Sequence, residues 1–384
     1  MQRVYFDNAA TTPISEEVIN AMLPVLRNQY GNPSSIHAEG RSVRAALESA
    51  RKTVAQCIGA GTGEIFFTSG GTESNNMAIK CAVRDLGVQR IISSPTEHHC
   101  VSHTIESVKN THGVEVVLLP VNNLGQIQYE DLETALANND GKKTLVSLMH
   151  ANNEIGTMID LARVSSLCHQ YGALFHSDTV QTIGHFPINV QETPVHFLSG
   201  AAHKFHGPKG VGFIYINPSS PIKPFIDGGS QERNMRGGTE NVYGIIALAK
   251  ALDLANQAMK EHAEHILDLR NYLKNSLQQE LADIQFNGDY DGDSLYTVLS
   301  VSFPPNPKNE MLLLSLDIAG ISCSGGSACS SGSEKGSHVL DAIDAPANRK
   351  SIRFSFSHYN TREEVDFVVN KLKSIVFVRD AVAV

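Results

Sequence analysis

Residues 64–73 read Glu64-Ile-Phe-Phe-Thr-Ser-Gly-Gly-Thr-Glu73, and this stretch decides the fold. A continuous apolar run that ends in a glycine turn and passes into a helical pattern is how a doubly buried strand hands over to a crossover helix. The stretch predicts a strand over 64–68, a turn over Ser69–Thr72 and a helix from about Glu73. Outward from it, six further apolar runs at 90–94, 114–119, 144–150, 173–178, 195–199 and 211–216 predict strands. Helical periodicity at 129–137 and 159–171 falls between them. Seven such strands interleaved with helices indicate an α/β fold with a mostly parallel sheet.

Residues 241–281 form a run of helix formers without proline, about twice a usual globular helix, and predict a connecting rod broken once. Beyond it the pattern predicts strands at 283–286, 295–303, 321–324 and 351–357, with helices at 310–319, 337–343 and 361–378. The expected organisation is a large domain over 15–250 and a smaller α+β domain built from 1–14 and 251–384. At 384 residues the chain is long enough for two such cores.

Composition excludes several classes of function. The net charge is −9, and no Lys/Arg cluster could track a phosphate backbone, so direct nucleic-acid binding is not expected. No apolar run is long enough for a transmembrane helix, and the first residues lack the apolar core of a secretory signal. The expected location is the cytoplasm. Six cysteines at 57, 81, 100, 168, 323 and 329 show no disulfide rhythm and read as reduced thiols.

Open parallel sheets bind ligands beyond the carboxyl ends of their strands, and several chemically able residues fall there. Lys204, in Ala202-His-Lys-Phe-His-Gly-Pro-Lys-Gly210, follows an apolar stretch with no charge immediately upstream. It is either a snorkelling surface lysine or an amine held neutral to attack a carbonyl. The Ser69–Thr72 turn is either an ordinary glycine turn or a phosphate cradle at a helix start. Asp178 closes its strand, as a helix cap or as the carboxylate that keeps a heterocyclic nitrogen protonated. His98, in Thr96-Glu-His-His-Cys100, could stack on a flat ring or ligate a metal. HExxH is absent and no Cys/His spacing matches a structural zinc pattern, so no metal is expected. Asn153 could shape a turn or hydrogen-bond a ring hydroxyl. A phosphate-suited turn, a strand-tip aspartate and a lysine 26 residues after it are together the parts that pyridoxal 5'-phosphate requires.

The chain resembles the cysteine desulfurases of the NifS/IscS type, class-V aminotransferases within the fold-type I pyridoxal-phosphate enzymes. The resemblance runs nearly end to end. It is carried by Val4-Tyr-Phe-Asp-Asn-Ala-Ala-Thr-Thr-Pro13, Gly31-Asn-Pro-Ser-Ser35, Thr68-Ser-Gly-Gly-Thr-Glu-Ser-Asn-Asn76, Thr96-Glu-His98 and Asn152-Asn-Glu-Ile-Gly156. Asp178-Thr-Val-Gln181, His203-Lys204, Met235-Arg-Gly-Gly-Thr239, Gly326-Ser-Ala-Cys329 and Ser351-Ile-Arg-Phe-Ser355 complete it. The resemblance implies that Lys204 holds the cofactor aldehyde, that His98 stacks on the ring and assists proton transfer, and that Asp178 pairs with the ring nitrogen. It further implies Asn153 and Gln181 near the ring hydroxyl, and Gly71, Thr72 and His203 at the phosphate. Thr239 would arrive from the second subunit of a homodimer, and Arg353, with Asn153, would take the substrate carboxylate. Cys329 would attack the sulfur of L-cysteine, leave L-alanine and pass its persulfide to an acceptor protein such as an Fe-S scaffold.

Two departures stand out. Ala201 occupies the place, three residues before the lysine, where the family usually has a Ser or Thr that donates to the phosphate. The sequence ends at Val384, and the expectation is that the tail housekeeping members extend towards a scaffold protein is missing. The near alternatives are a selenocysteine lyase or another class-V aminotransferase, for which Cys329 would not be needed. A zinc hydrolase built on the 16 histidines and a binding module without catalysis are more distant.

Overall fold

A computed structural model describes residues 3–325 and 336–376. Its centre is a seven-stranded sheet in the order Ile65–Thr68, Gly212–Ile216, Phe197–Ala201, Leu174–Asp178, Thr144–Ser147, Arg90–Ser93, Glu115–Leu118. Gly212–Ile216 runs antiparallel to both neighbours, and every other pairing is parallel. Side chains alternate across the pleat into two cores, which is why these strands read as unbroken apolar runs. Ile65, Phe67, Ile92 and Val146 enter one core, while Phe66, Ile91 and Leu145 enter the other. The first core is closed by the helices Glu16–Asn28, Ala38–Cys57 and Val242–Gln257, the second by Gly71–Leu86 and His99–His112.

The rod expected over 241–281 is broken once, at Ala258 (φ −101°, ψ 10°). Val242–Gln257 buries Ile245, Leu248 and Leu252 in the first core of the large sheet. Met259–Glu280 buries Ile266, Leu269, Leu273 and Leu277 in a separate core. That core also holds a three-stranded antiparallel sheet (Gln285–Asn287, Val298–Phe303, Lys350–Ser355) and the helix Arg362–Ile375. Val4 and Phe6 join it too: Val4–Tyr5 pairs in parallel with Ile321–Ser322 across most of the sequence.

Local boundaries differ from expectation for identifiable reasons. The strand expected at 195–199 is Phe197–Ala201, because its pairing with Gly212–Ile216 continues through Ala201. The strand expected over 144–150 ends at Ser147. The helix expected from about Glu73 begins at Gly71, since Gly70 takes φ +153°, a turn that only glycine adopts readily. The helix expected over 310–319 is a tight 3-10 turn over Pro307–Met311 followed by Leu312–Ile318.

Candidate active site

The carboxyl ends of the parallel strands open on a cavity of about 240 Å³. Gly71, Thr72, His98, Asn153, Asp178, Gln181, His203, Lys204 and Arg353 all line it, brought from six separate stretches of chain. Thr239 does not line it and is exposed. Cys329 lies outside the described residues. No three of the described His, Cys, Asp and Glu side chains come together as a metal site.

Asp178 sits at the tip of its strand, 6% exposed. Its Oδ1 accepts from the Val180 N–H at 2.9 Å and its Oδ2 from Asn75 Nδ2 at 2.6 Å. Asn75 Oδ1 lies 3.1 Å from His176 Nε2, and His176 Nδ1 lies 2.9 Å from Ser147 Oγ. The carboxylate is thus aimed by a buried polar chain with a partner at each link. Burial pushes His176 down to about 3, so its ring is neutral.

His98 caps the helix His99–His112: its Nδ1 accepts from the Cys100 N–H at 3.1 Å. The same Nδ1 lies 3.0 Å from Cys100 Sγ, and that sulfur takes a second hydrogen bond from Asn75 Nδ2 at 3.2 Å. Burial lowers the pKa of His98, with Asp178 opposing and Lys204 reinforcing the shift. Burial pushes the Cys100 thiol up to about 12, so it keeps its proton.

Lys204 ends a 3-10 turn directly after the strand Phe197–Ala201. Its Nζ donates to the Ala10 carbonyl at 3.0 Å and to the Ala9 carbonyl. Gln181 Nε2 donates to the same Ala9 carbonyl at 3.0 Å, and Thr12 and the His203 carbonyl are joined by two hydrogen bonds. The N-terminal stretch is therefore laid along the lysine loop. His203, with Nδ1 3.2 Å from Thr11 Oγ1, is pushed down to about 4 by burial and then by the Lys204 and Lys209 charges.

Arg353 is 2% exposed and crosses from the small antiparallel sheet. It donates to the Asn153 carbonyl at 2.8 Å and to Asp7 Oδ1 at 2.9 Å, leaving Nε without a partner. Its remaining N–H groups suit a carboxylate. On the far side, the helix Gly71–Leu86 has no side chain capping its start, so its first N–H groups and dipole suit a phosphate. A Cβ on Gly71 would come 2.5 Å from Val180 Cγ2, so glycine is what fits beside that wall. Ala201 lines the cavity there without a hydroxyl, and Ser199 is fully buried away from it.

The family model for aminotransferase class V matches residues 4–368. This chain belongs to the class-V aminotransferases. Among them it is of the cysteine desulfurase type. It is 45% identical over 382 residues to a cysteine desulfurase IscS of Dictyoglomus turgidum, covering 98% of this chain and 95% of that one. It is 42% identical to another from Methanosarcina thermophila, covering 97% and 92%. A solved structure described as a NifS-like protein superposes with a TM-score of 0.89 at 38% identity, covering 97% of this chain and 99% of that one.

For this class-V member the sequence reading missed Asn75, Cys100, Asp7 and the Ala9 and Ala10 carbonyls as parts of the site. Asn75 was legible only as a letter in the Thr68–Asn76 motif. Its contacts with Asp178 and Cys100 cross between elements and leave no signal in spacing.

Proposed function

We propose that this chain is a pyridoxal-phosphate-dependent cysteine desulfurase that converts L-cysteine to L-alanine and carries the sulfur as a persulfide on Cys329. The observation that carries the reading is the convergence of Lys204, Asp178, His98 and an uncapped helix start on one cavity. Those residues fit the cofactor: Gly71 and Thr72 N–H groups and His203 for its phosphate, Asp178 for its ring nitrogen, Asn153 and Gln181 near its hydroxyl, and His98 for its ring face. When bound, pyridoxal 5'-phosphate supplies an aldehyde for a lysine and a ring that accepts electrons released at the substrate's α carbon.

The chain's own groups do the rest. Lys204 Nζ tethers the cofactor and moves the proton of the substrate α carbon. Asp178, fixed by Asn75 and the Val180 N–H, would hold a proton on the cofactor's ring nitrogen. Arg353 orients the substrate through its carboxylate, helped by Asn153. Cys329, as thiolate, attacks the substrate sulfur; the new S–S bond forms as the Cβ–S bond breaks, and the electron pair left on Cβ takes up a proton to make the methyl group of alanine. Ala201 contributes no donor to the phosphate, and in this reading Thr239, which is exposed, serves the partner subunit of a homodimer. The sulfur passes to an acceptor protein, for which an Fe-S scaffold is the natural candidate, in the cytoplasm. None of the described helices is long and apolar enough to cross a membrane. In this reading 15–250 form the cofactor domain, and 1–14 with 251–384 form the domain that brings Arg353 and Cys329.

The test is incubation with L-cysteine, quantitation of L-alanine and mapping of added sulfur by peptide mass. The expected result is a persulfide on Cys329 and almost no alanine from Cys329→Ala, with Cys323→Ala active. Full alanine production by Cys329→Ala, or a persulfide only on another cysteine, would leave the lyase or aminotransferase reading standing.

A further inference from the structure

We propose that Cys100, itself held by Asn75, is a positioning residue that keeps His98 in the tautomer with its proton on Nε2, so that whatever His98 donates to a bound molecule leaves from Nε2. The proposal rests on the cavity being the reaction site, but its logic is a count of hydrogens within the chain itself.

The direction of each hydrogen bond follows from a group that can only accept. The Asp178 carboxylate takes the Val180 N–H at 2.9 Å and Asn75 Nδ2 at 2.6 Å. That turns the amide nitrogen of Asn75 towards Asp178 and its oxygen towards His176, whose Nε2 must donate across 3.1 Å. A neutral imidazole has one N–H, and this bond uses it, so His176 Nδ1 accepts from the Ser147 hydroxyl at 2.9 Å.

Asn75 has a second N–H, and it reaches Cys100 Sγ at 3.2 Å. A sulfur receiving that bond, and facing the Thr72 hydroxyl as a second donor, still has its own proton to give. His98 Nδ1 lies 3.0 Å from it, and the thiol stays protonated because burial raises its pKa to about 12. The backbone N–H of Cys100 arrives at the same Nδ1 at 3.1 Å. Two donors converge on one lone pair, so no hydrogen sits on Nδ1 and the neutral ring carries its hydrogen on Nε2. That nitrogen has no partner among the described residues, and His98 lines the cavity.

Protonating Nδ1 would oppose a backbone N–H and force the thiol to turn round. Asp178, Lys204, His338, His103 and His99 are the other titratable groups around the ring, and Asp178 is the one that favours charge. Removing the thiol takes away one of the two donors that favour the neutral ring. His98 should then accept a proton more readily. A serine in its place keeps the donor.

The experiment is nuclear magnetic resonance of the purified protein, with whatever cofactor it carries, labelled with nitrogen-15 histidine. The His98 signals are identified by their loss in His98→Gln. The expected result is an Nε2–H tautomer for His98 in the wild type and in Cys100→Ser. In Cys100→Ala the His98 titration should move to higher pH by up to about one unit. A packing role alone would disturb Ser and Ala alike. An Nδ1–H tautomer in the wild type overturns the proposal without any variant, and so does a titration in Cys100→Ala that matches wild type or Cys100→Ser. None of these readings depends on turnover. Failure of alanine release with the tautomer intact would count against the desulfurase reading alone.

Discussion

Two cavities share a wall made by Ala9, Gln181 and Lys204, and they differ in everything else. The one at the carboxyl edge of the sheet, about 240 Å³, is lined by polar groups whose partners fix their direction. The one behind it, about 330 Å³, is larger and is walled by Phe205, Phe356, Ile266 and the histidines 185, 206, 262 and 358. There His262 and His358 stack face to face, with centroids 3.9 Å apart and planes 2° from parallel. Burial pushes His185 and His206 down to about 4 and His358 to about 3, so this cavity is lined by uncharged rings. Volume therefore does not single out the cavity proposed as the chemical site. What marks it is an amine, a carboxylate and a helix start whose directions are fixed by the surrounding chain.

The largest expected effect of breaking that contrast is at the shared wall. Lys204→Ala should fold, lose the covalent fixation of cofactor by borohydride, and slow alanine formation by about 10³-fold or more. Fixation that persists in the mutant at Lys209 would move the amine out of the wall. Next is Asp178→Ala, expected to lower turnover by about 10²–10³-fold at saturating cofactor while weakening cofactor binding less. Near-normal turnover in that titration would show that the aimed carboxylate has no chemical part.

The larger cavity answers to acid instead. Its histidines bind protons less readily folded than unfolded, so the stability they contribute is present above the ordinary value near 6.5 and is lost as pH falls through about 4. Glu261, which raises the pKa of His262, tempers this loss. Thermal melts at stepped pH should show stability falling across that window, and His358→Phe should make the fall shallower. A slope unchanged by that substitution would separate the cluster from acid sensitivity. The smallest effect is at the phosphate end. Ala201→Ser should restore one donor and tighten cofactor binding by roughly 2–10-fold, read from the dissociation constant. No tightening would mean that the hydroxyl cannot reach the phosphate from that strand position.

Much of this was legible in the sequence because the strands of a parallel sheet are buried on both faces. The run Ile65-Phe-Phe-Thr68 reports both cores at once, and the turns at the strand ends fall where ligands bind. The helices Glu16–Asn28 and His99–His112 are not among the expected elements, nor is Ala38–Cys57. The first carries Pro24 inside it, which blurs a helical pattern, and the second opens on His99-Cys-Val-Ser-His, residues that signal a metal or a turn as readily as a helix. Lys204, Asp178 and His98 could be named because each ends or follows a strand. Asn75, Cys100 and Asp7 could not, because their meaning lies in contacts between segments far apart in the chain: Asn75 with Asp178, and Asp7 with Arg353.

The way Asp7 and its neighbours are held has a consequence for the order in which the molecule is completed. Val4–Tyr5 pairs with Ile321–Ser322, the Phe6 carbonyl accepts from the Ser355 N–H at 2.8 Å, and Asp7 ties Ser324 to Arg353. All of these partners are made some 315–350 residues after the segment that needs them. At 5–20 residues per second, the first residues wait roughly 20–70 s on the ribosome before their strand partner exists. Until then residues 4–7 of this segment lack their strand and Arg353 partners, although Gln181 and His203, which hold Ala9 and Thr12 beside the lysine loop, have long since been synthesised. The nascent chain can thus own its lysine and its aspartate for many seconds before Arg353, which Asp7 holds at the same cavity, has been made.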